Sequence, residues 1–181
     1  NNGDWHSFKF TSTNTTNTHL GDIVVDNIGQ KWVIVPGGIG LVVYNDNNTL
    51  EDVQDDKDMV VNSSLGTGNL PSTSVYSLAK DRDGEVWVGT DKGIAVFYNP
   101  ENVFSGYDFD AQQILVEVDG YVEYLLANET VTTIAVDGAN RKWLGTQSAG
   151  VFLVSSDGTE QVHHFTEQNS PLFSNTITDI A

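Results

Sequence analysis

The sequence predicts an all-β fold that forms part of a β-propeller, with about three four-stranded antiparallel blades and one flanking strand at each end. Three observations support this prediction. One sequence segment recurs along the chain, each copy carries a tryptophan, and short apolar stretches within each copy alternate with turn-forming residues. Four antiparallel strands repeated with one tryptophan per unit are typical of propeller blades.

The repeat has a regular period. Copies lie at residues 20–44, 75–98 and 131–154, and a fourth begins at residues 177–181. The tryptophans are 55 and 56 residues apart, and each follows an aspartate by six residues: Asp26 and Trp32, Asp81 and Trp87, Asp137 and Trp143. Because propellers close with about four to eight blades, we expect a larger ring whose other blades pack against this segment.

The period also sets the expected blade boundaries, which are roughly residues 20–70, 75–126 and 131–170. An outer strand at residues 5–10 and an inner strand at residues 177–181 are expected to belong to neighbouring blades. An isolated piece of a propeller exposes the apolar flanks of its end blades, and large apolar patches rarely stay uncovered. The segment is therefore expected to self-associate.

Each copy begins with two predicted strands. Residues 131–137 are apolar or small on both faces, which is typical of a strand buried on both sides, so residues 75–80 and 131–136 are predicted to be innermost. A turn at residues 81–84 or 137–140 then leads into the tryptophan strand. Glycine follows each of Trp87 and Trp143 by two residues, on the same strand face. We expect both indoles to be buried between blades, in matching environments.

The remaining strands are less regular. Gly93 and Gly150 introduce a third strand, and residues 161–166 supply a fourth. Residues 45–70 are acidic, rich in asparagine and predicted to be irregular. An inserted hairpin is predicted from residues 114–118 and 121–126, with its turn at Asp119-Gly120.

Composition excludes several function classes. The chain of 181 residues has 8 Lys and Arg against 25 Asp and Glu, a formal net charge of -17, so a nucleic-acid partner is not expected. The absence of cysteine rules out thiolate metal sites and cysteine nucleophiles. No apolar run approaches the roughly 20 residues of a membrane-spanning helix, and residues 1–30 lack a signal-peptide pattern.

Polar residues offer few candidates for catalysis or metal binding. The turn oxygens could begin a calcium loop, but a tryptophan strand follows where a bidentate acidic ligand is required, so turn capping is favoured: Asp81, Asp83, Asp137 and Asn140. His163 and His164 are consecutive in a strand and point to opposite faces. Asp22 and Asp179 occupy equivalent positions of the inner strand, without a partner. We predict no enzyme activity, no catalytic residue, no metal and no cofactor, and the ligand-binding residues stay unknown.

Two further groups have alternative interpretations. The acidic residues of the first long loop could bind cations or a basic partner, although a solvated loop is favoured: Glu51, Asp52, Asp55, Asp56 and Asp58. The tryptophan series could form a sugar-stacking platform, but its recurrence at one strand position favours a place in the core.

Residues 75–98, with Asp-Arg-Asp-Gly-Glu-Val-Trp-Val-Gly-Thr at 81–90, resemble the two-component regulator propeller repeat of Bacteroidetes envelope proteins. The first copy departs from the pattern, since residues 32–36 read Trp-Val-Ile-Val-Pro. Residues 131–146, 158–160 and 163–172 are also similar to the PorZ-type propellers of the type IX secretion system.

The resemblance implies a non-catalytic binding scaffold of the cell envelope, periplasmic or surface-exposed. Its implied partners are secretion-system proteins, including a sortase, and anionic lipopolysaccharide. The same repeat implies an alternative function, a periplasmic propeller of a hybrid two-component regulator that detects carbohydrate.

Overall fold

The computed structural model describes residues 6–13, 19–118 and 120–181, and these residues form thirteen strands and one short 3₁₀ helix. All strand pairs are antiparallel, which confirms the predicted all-β propeller fold. Blade 1 consists of four strands in sequential order: β1 (Ile23–Val25), β2 (Lys31–Val35), β3 (Gly40–Asn45) and β4 (Lys57–Val61). Blade 3 has the same order: β10 (Val131–Val136), β11 (Lys142–Thr146), β12 (Val151–Val154) and β13 (Gln161–Phe165).

Blade 2 differs because its fourth strand is interrupted. Its regular sheet has three strands, β5 (Val75–Lys80), β6 (Val86–Thr90) and β7 (Gly93–Phe97), followed by a 3₁₀ helix at Pro100–Phe104. The place of the fourth strand is taken by Gln112, which bridges to Val96, and by Leu125, whose carbonyl accepts a hydrogen bond from Ile94.

The predicted hairpin projects between these two contacts. It is the ribbon formed by β8 (Leu115–Val118) and β9 (Tyr121–Tyr124). Gly120 of its turn has a φ of +83°, a backbone conformation that glycine adopts without strain. Asp119, the other residue of the predicted turn, lies outside the described residues.

Three expectations about strands differ from the structure. Strand β4 lies within the segment predicted to be irregular, and its pairing with β3 completes blade 1. Residues 6–10 form no strand, and Trp5 lies outside the described residues. Residues 177–181 also form no strand, although Ile177 is held by its N–H to the carbonyl of Thr146 at 2.9 Å. No antiparallel strand pairs with these two segments in the described part of the chain.

The inner strands approach each other closely. The Ser77 hydroxyl of β5 donates to the carbonyl of Val131 in β10 at 3.1 Å. A Cβ atom on Gly89 would lie 2.7 Å from that same carbonyl oxygen, closer than side-chain carbons approach. Glycine in the tryptophan strand therefore makes room for the inner strand of the next blade.

Two apolar cores lie between the three blades. Between blades 1 and 2, the Trp32 ring packs on Phe97 with 4.7 Å between ring centroids. Between blades 2 and 3, Trp87 packs with Ile94, Leu144 and Val154. The tryptophan of each of these blades therefore faces the following blade.

Candidate functional site

The aspartate that precedes each tryptophan caps the hairpin turn of its blade. In blade 2, Asp81 Oδ1 accepts hydrogen bonds from the backbone N–H groups of Asp83 and Glu85 at 3.0 and 2.9 Å. Asp26 and Asp137 make the same two bonds in their own turns. This capping leaves the second carboxylate oxygen, Oδ2, for bonds at the boundary between blades.

Between blades 2 and 3, this oxygen forms a buried ion pair. The Lys142 ammonium lies 2.8 Å from Asp81 Oδ2, and both side chains are fully buried. The same ammonium lies 4.4 Å from the centroid of a Trp87 ring and donates to the carbonyl of Ser156. Trp87 Nε1 also donates to Asp81 Oδ2, at 3.3 Å. Lys142 of blade 3 thus binds the turn of blade 2. We call Asp81, Trp87, Lys142 and Ser156 the 2/3 latch.

Between blades 1 and 2, a neutral amide replaces the cation. Gln30 Nε2 donates to Asp26 Oδ2 at 2.6 Å and to the carbonyl of Pro100 at 3.0 Å. Trp32 Nε1 donates to the same carboxylate oxygen at 3.0 Å. Trp32 is completely buried, although its copy lacks the Gly-Thr sequence of the other two. We call Asp26, Gln30, Trp32 and Pro100 the 1/2 latch. In each latch, one side chain binds a carboxylate of one blade and a backbone carbonyl of the next.

The third copy of the motif lies on an open face. Trp143 is partly exposed, stacks on Phe165 and lines a hollow of about 520 Å³ with Leu172 and Ile177. The prediction that Trp87 and Trp143 have matching environments is wrong for this reason. Self-association through this face stays a prediction.

The carboxylate of that open copy is also bound differently. Asp137 Oδ2 forms an ion pair with Arg141 of its own blade at 2.8 Å, in place of a contact with a following blade. Although desolvation works against it, hydrogen bonds from Arg141 and from the turn backbone lower the pKa of Asp137 to about 2.

A second acidic group, Glu85, lies beside the 2/3 latch. Burial raises the pKa of Glu85, and the nearby charge of Asp81 raises it further. Burial also disfavours the charged form of Asp81, but the hydrogen bond and the positive charge of Lys142 outweigh it and lower the pKa of Asp81. The two carboxyl groups are thus shifted in opposite directions.

The residues that could have started a calcium loop hydrogen-bond to one another. Asn140 Nδ2 donates to Asp83 Oδ2 at 2.8 Å, and the N–H of Arg82 donates to Asn140 Oδ1 at 2.9 Å. These contacts link the turns of blades 2 and 3. Within the described ranges, no three His, Asp or Glu side chains are grouped so as to hold a metal ion.

The histidines and the two aspartates of the inner-strand pattern are not brought together. His164 stacks on Phe152 with 3.9 Å between ring centroids, and its Nε2 lies 2.6 Å from the carbonyl of Ala149. His163 is exposed. Asp179 Oδ1 accepts a long hydrogen bond of 3.4 Å from Thr133, while Asp22 is exposed at blade 1.

The acidic loop is held by hydrogen bonds within the chain. Asp55 accepts from Asn47 and Thr49, and Asp56 accepts from the Tyr44 hydroxyl. Asp58 accepts two backbone N–H bonds from Thr11 and Ser12, at 2.9 and 2.6 Å. Most of its carboxylates therefore have local partners, and Asp58 ties the N-terminal segment to blade 1.

A groove at the rim carries two carboxylates, Glu117 and Glu123, that have no such partners among the described residues. It has a volume of about 250 Å³ and lies between the ribbon and the outer strands of blade 3. Apolar residues line its interior: Val116, Leu125, Leu126 and Phe152. Glu117, Glu123 and Glu129 also line it, and no lysine or arginine does. We call this feature the ribbon groove.

Sequence reasoning missed Lys142 and Gln30. Their partners are 61 and 70 residues away, at Asp81 and Pro100, so spacing within a repeat does not show the contacts. One sequence signal did point to Lys142. It is a charged residue that directly precedes the tryptophan of its strand, at the position where blade 2 has Val86. A buried lysine requires a partner of opposite charge.

Residues 69–92 match the family described as "Two component regulator propeller". This part of the chain is similar to a two-component regulator propeller repeat. Over 108 residues it is 34% identical to histidine kinase P4 of Formosa agariphila, which corresponds to 55% of this chain and 7% of that protein. The matched region spans only a small part of the length of this curated relative.

Solved structures show the same fold over almost the whole chain. PorZ, a bacterial surface component of the type IX secretion system of Porphyromonas gingivalis, is 31% identical, with a TM-score of 0.81 over 98% of this chain and 25% of PorZ. The extracellular domain of BT3049 from B. thetaiotaomicron, described as a hybrid two-component system, has a TM-score of 0.63 at 24% identity, covering 92% of this chain and 18% of that one. This chain is thus a propeller segment similar to PorZ, and it shares its fold with the extracellular domain of BT3049.

These neighbours are extracellular or surface domains. In the described ranges of this chain, no helix has the length and apolar character needed to cross a bilayer.

Proposed function

We propose that this protein is a non-catalytic binding scaffold of the cell envelope, related in role to PorZ. The observation that carries the proposal is the likeness to PorZ, which extends over 98% of the chain with a TM-score of 0.81. A fold match of this extent at 31% identity also includes the third blade and its outer strand.

The chemistry of the polar residues supports a scaffold over an enzyme. The carboxylates of the turns bind backbone amides, indole N–H groups and Lys142, and these bonds hold the blades together. General acid–base chemistry requires such groups to converge on a space that a substrate can enter. In the 2/3 latch, Asp81 and Lys142 are fully buried instead.

Charge favours a protein partner over lipopolysaccharide for this segment. A net charge of -17 repels the phosphate groups of an anionic glycolipid over roughly a Debye length. We therefore propose that protein partners, such as other secretion components, contact these blades.

The test is affinity purification of the full-length tagged protein from cross-linked envelopes of its native host, with mass spectrometry of the recovered proteins. The scaffold role predicts that secretion-system proteins, including a sortase, are enriched over an unrelated acidic envelope protein. Recovery of none of them would contradict the proposal.

A second candidate is a periplasmic sensor propeller that detects carbohydrate. It is favoured by the 34% identity to histidine kinase P4 over 108 residues. This alternative predicts that an oligosaccharide raises the melting temperature of the chain, since ligands that bind only the folded state stabilise it. If none of a panel of oligosaccharides raises the melting temperature, this alternative is contradicted.

A further inference from the structure

We propose that the ribbon groove binds an extended segment of another protein that carries lysine or arginine side chains. The inference rests on the proposed scaffold function and deepens it, because it assigns a surface and a partner chemistry. Three features of the groove support it: its charge, its apolar interior and the free edges of the ribbon.

The charge of the groove requires a cationic partner. Glu117 and Glu123 have no ion pair and no hydrogen bond to a side chain among the described residues, whereas Glu129 accepts a bond of 2.7 Å from Ser148. With no basic residue in its lining, the groove concentrates negative potential between apolar walls. Complementary charge then selects basic segments and raises their rate of association.

The exposed apolar residues of the ribbon indicate a macromolecular partner. Tyr121 and Val122 are 78% and 69% exposed, and Leu115 and Tyr124 are also exposed. By the register of the two strands, Leu115, Val122 and Tyr124 share one face of the ribbon, and Tyr121 lies on the other. Patches of this kind on a soluble protein mark interaction sites.

The backbone of the ribbon favours an extended polypeptide in particular. β8 and β9 form a sheet of two strands, and neither pairs with a third strand in the described ranges. Their outer edges therefore present backbone N–H and C=O groups to which a partner strand can bind. An added strand would place alternate side chains toward each face of the ribbon, so the lysines of an alternating peptide reach Glu117 on one face or Glu123 on the other.

The interruption of blade 2 is consistent with this role. A regular fourth strand would cover β7, but here Gln112 and Leu125 make isolated contacts and the intervening residues leave the blade. A two-stranded ribbon is marginally stable alone, so a third strand from a partner would stabilise it.

The test uses the 181-residue chain and three capped, fluorescein-labelled eight-residue peptides: alternating Lys-Val, Glu-Val and Lys-Gly. Fluorescence anisotropy is expected to show micromolar binding of the Lys-Val peptide, no binding of the Glu-Val peptide and at least about tenfold weaker binding of the Lys-Gly peptide. Equal binding of the Lys-Val and Lys-Gly peptides would contradict the inference, because charge alone would then explain it.

Variants locate the binding site. Glu117→Gln combined with Glu123→Gln is expected to weaken Lys-Val binding at least about fivefold, and raising the salt concentration is expected to weaken it further. The matched control, Glu51→Gln combined with Glu101→Gln, removes two exposed carboxylates elsewhere and should leave the affinity within about twofold. Equal losses in the two double variants would overturn the inference.

Hydrogen exchange provides a readout of the backbone contact. The amides of Tyr121–Tyr124 are expected to become protected when the Lys-Val peptide binds, whereas protection confined to the acidic loop would overturn the inference. The envelope purification described above is independent of this surface. Partner recovery without peptide binding would refute the groove and leave the scaffold function standing.

Discussion

The motifs of blades 2 and 3 share the turn aspartate, the tryptophan and the Gly-Thr that follows it, and these residues lie in different surroundings. Asp81 and Trp87 are covered by blade 3, and Lys142 joins them in a buried ion pair. Asp137 and Trp143 lie on an open face, where the aspartate pairs with Arg141 of its own turn. The difference shows that the repeat sequence specifies the turn, while the neighbouring blade determines burial and charge pairing.

The largest expected difference concerns the two tryptophans. Trp87→Ala should lower the free energy of unfolding by about 3–5 kcal/mol, because the indole is fully buried and leaves a cavity. Trp143→Ala should cost roughly 1–2 kcal/mol, because this indole is already partly exposed. Urea unfolding followed by circular dichroism measures both values, and equal losses would contradict the comparison.

Replacing Lys142 should likewise destabilise the fold more than replacing Arg141. Lys142→Met leaves Asp81 buried without a counter-charge and should destabilise the fold by roughly 3 kcal/mol. Arg141→Met removes a partly exposed pair and should cost less than about 1 kcal/mol. In the double variant Lys142→Met with Asp81→Asn, about half of the loss should be recovered, since the uncompensated charge is gone. No recovery would show that packing of the lysine stem on Trp87 dominates.

The smallest effect concerns the fourth residue after each aspartate: Gln30, Glu85 or Arg141. Because the folded-state pKa of Glu85 is raised, its stabilising contribution is complete below the unfolded value of 4.5 and is lost as pH rises through the folded pKa. Glu85→Gln, which copies blade 1, should therefore stabilise the protein at pH 7 by less than about 1 kcal/mol, with partial exposure limiting the gain. The gain should disappear near pH 4.5.

Unfolding measurements at both pH values test this sign. Glu101→Gln is the control, since Glu101 is an exposed carboxylate outside the latch. A Glu85→Gln variant that is less stable than the parent at pH 7 would contradict the prediction.

The sequence predicted the parts of the fold that depend on local spacing. The inner strands at Val75–Lys80 and Val131–Val136 and the ribbon followed from short apolar stretches and from turn residues, and all are present. Strand β4 was missed because Lys57 and Asp58 make its start look like part of the acidic loop. Trp143 was misjudged because burial depends on a neighbouring surface, which the period of the repeat does not describe.

Less of the candidate site than of the fold could be predicted from local spacing in the sequence. Capping by Asp81 was predicted from the turn sequence, and the structure shows those bonds. The ion pair of Asp81 with Lys142 joins residues 61 positions apart, and the ribbon groove forms only when a rim insertion of blade 2 meets blade 3. Contacts between repeats arise from the packing of whole blades, so a single sequence does not specify them.

The two latches have different consequences for how such a protein diversifies. Gln30 requires a backbone carbonyl from the following blade, which any sequence supplies, so its blade can be duplicated or exchanged without a matching change elsewhere. Lys142 requires one particular acid in the preceding blade, so a recombination event between β7 and β10 would separate the two charges. Asp26 caps its turn without a lysine from the following blade, so loss of Asp81 should entail loss of Lys142, whereas Asp81 can outlast Lys142 as a turn cap.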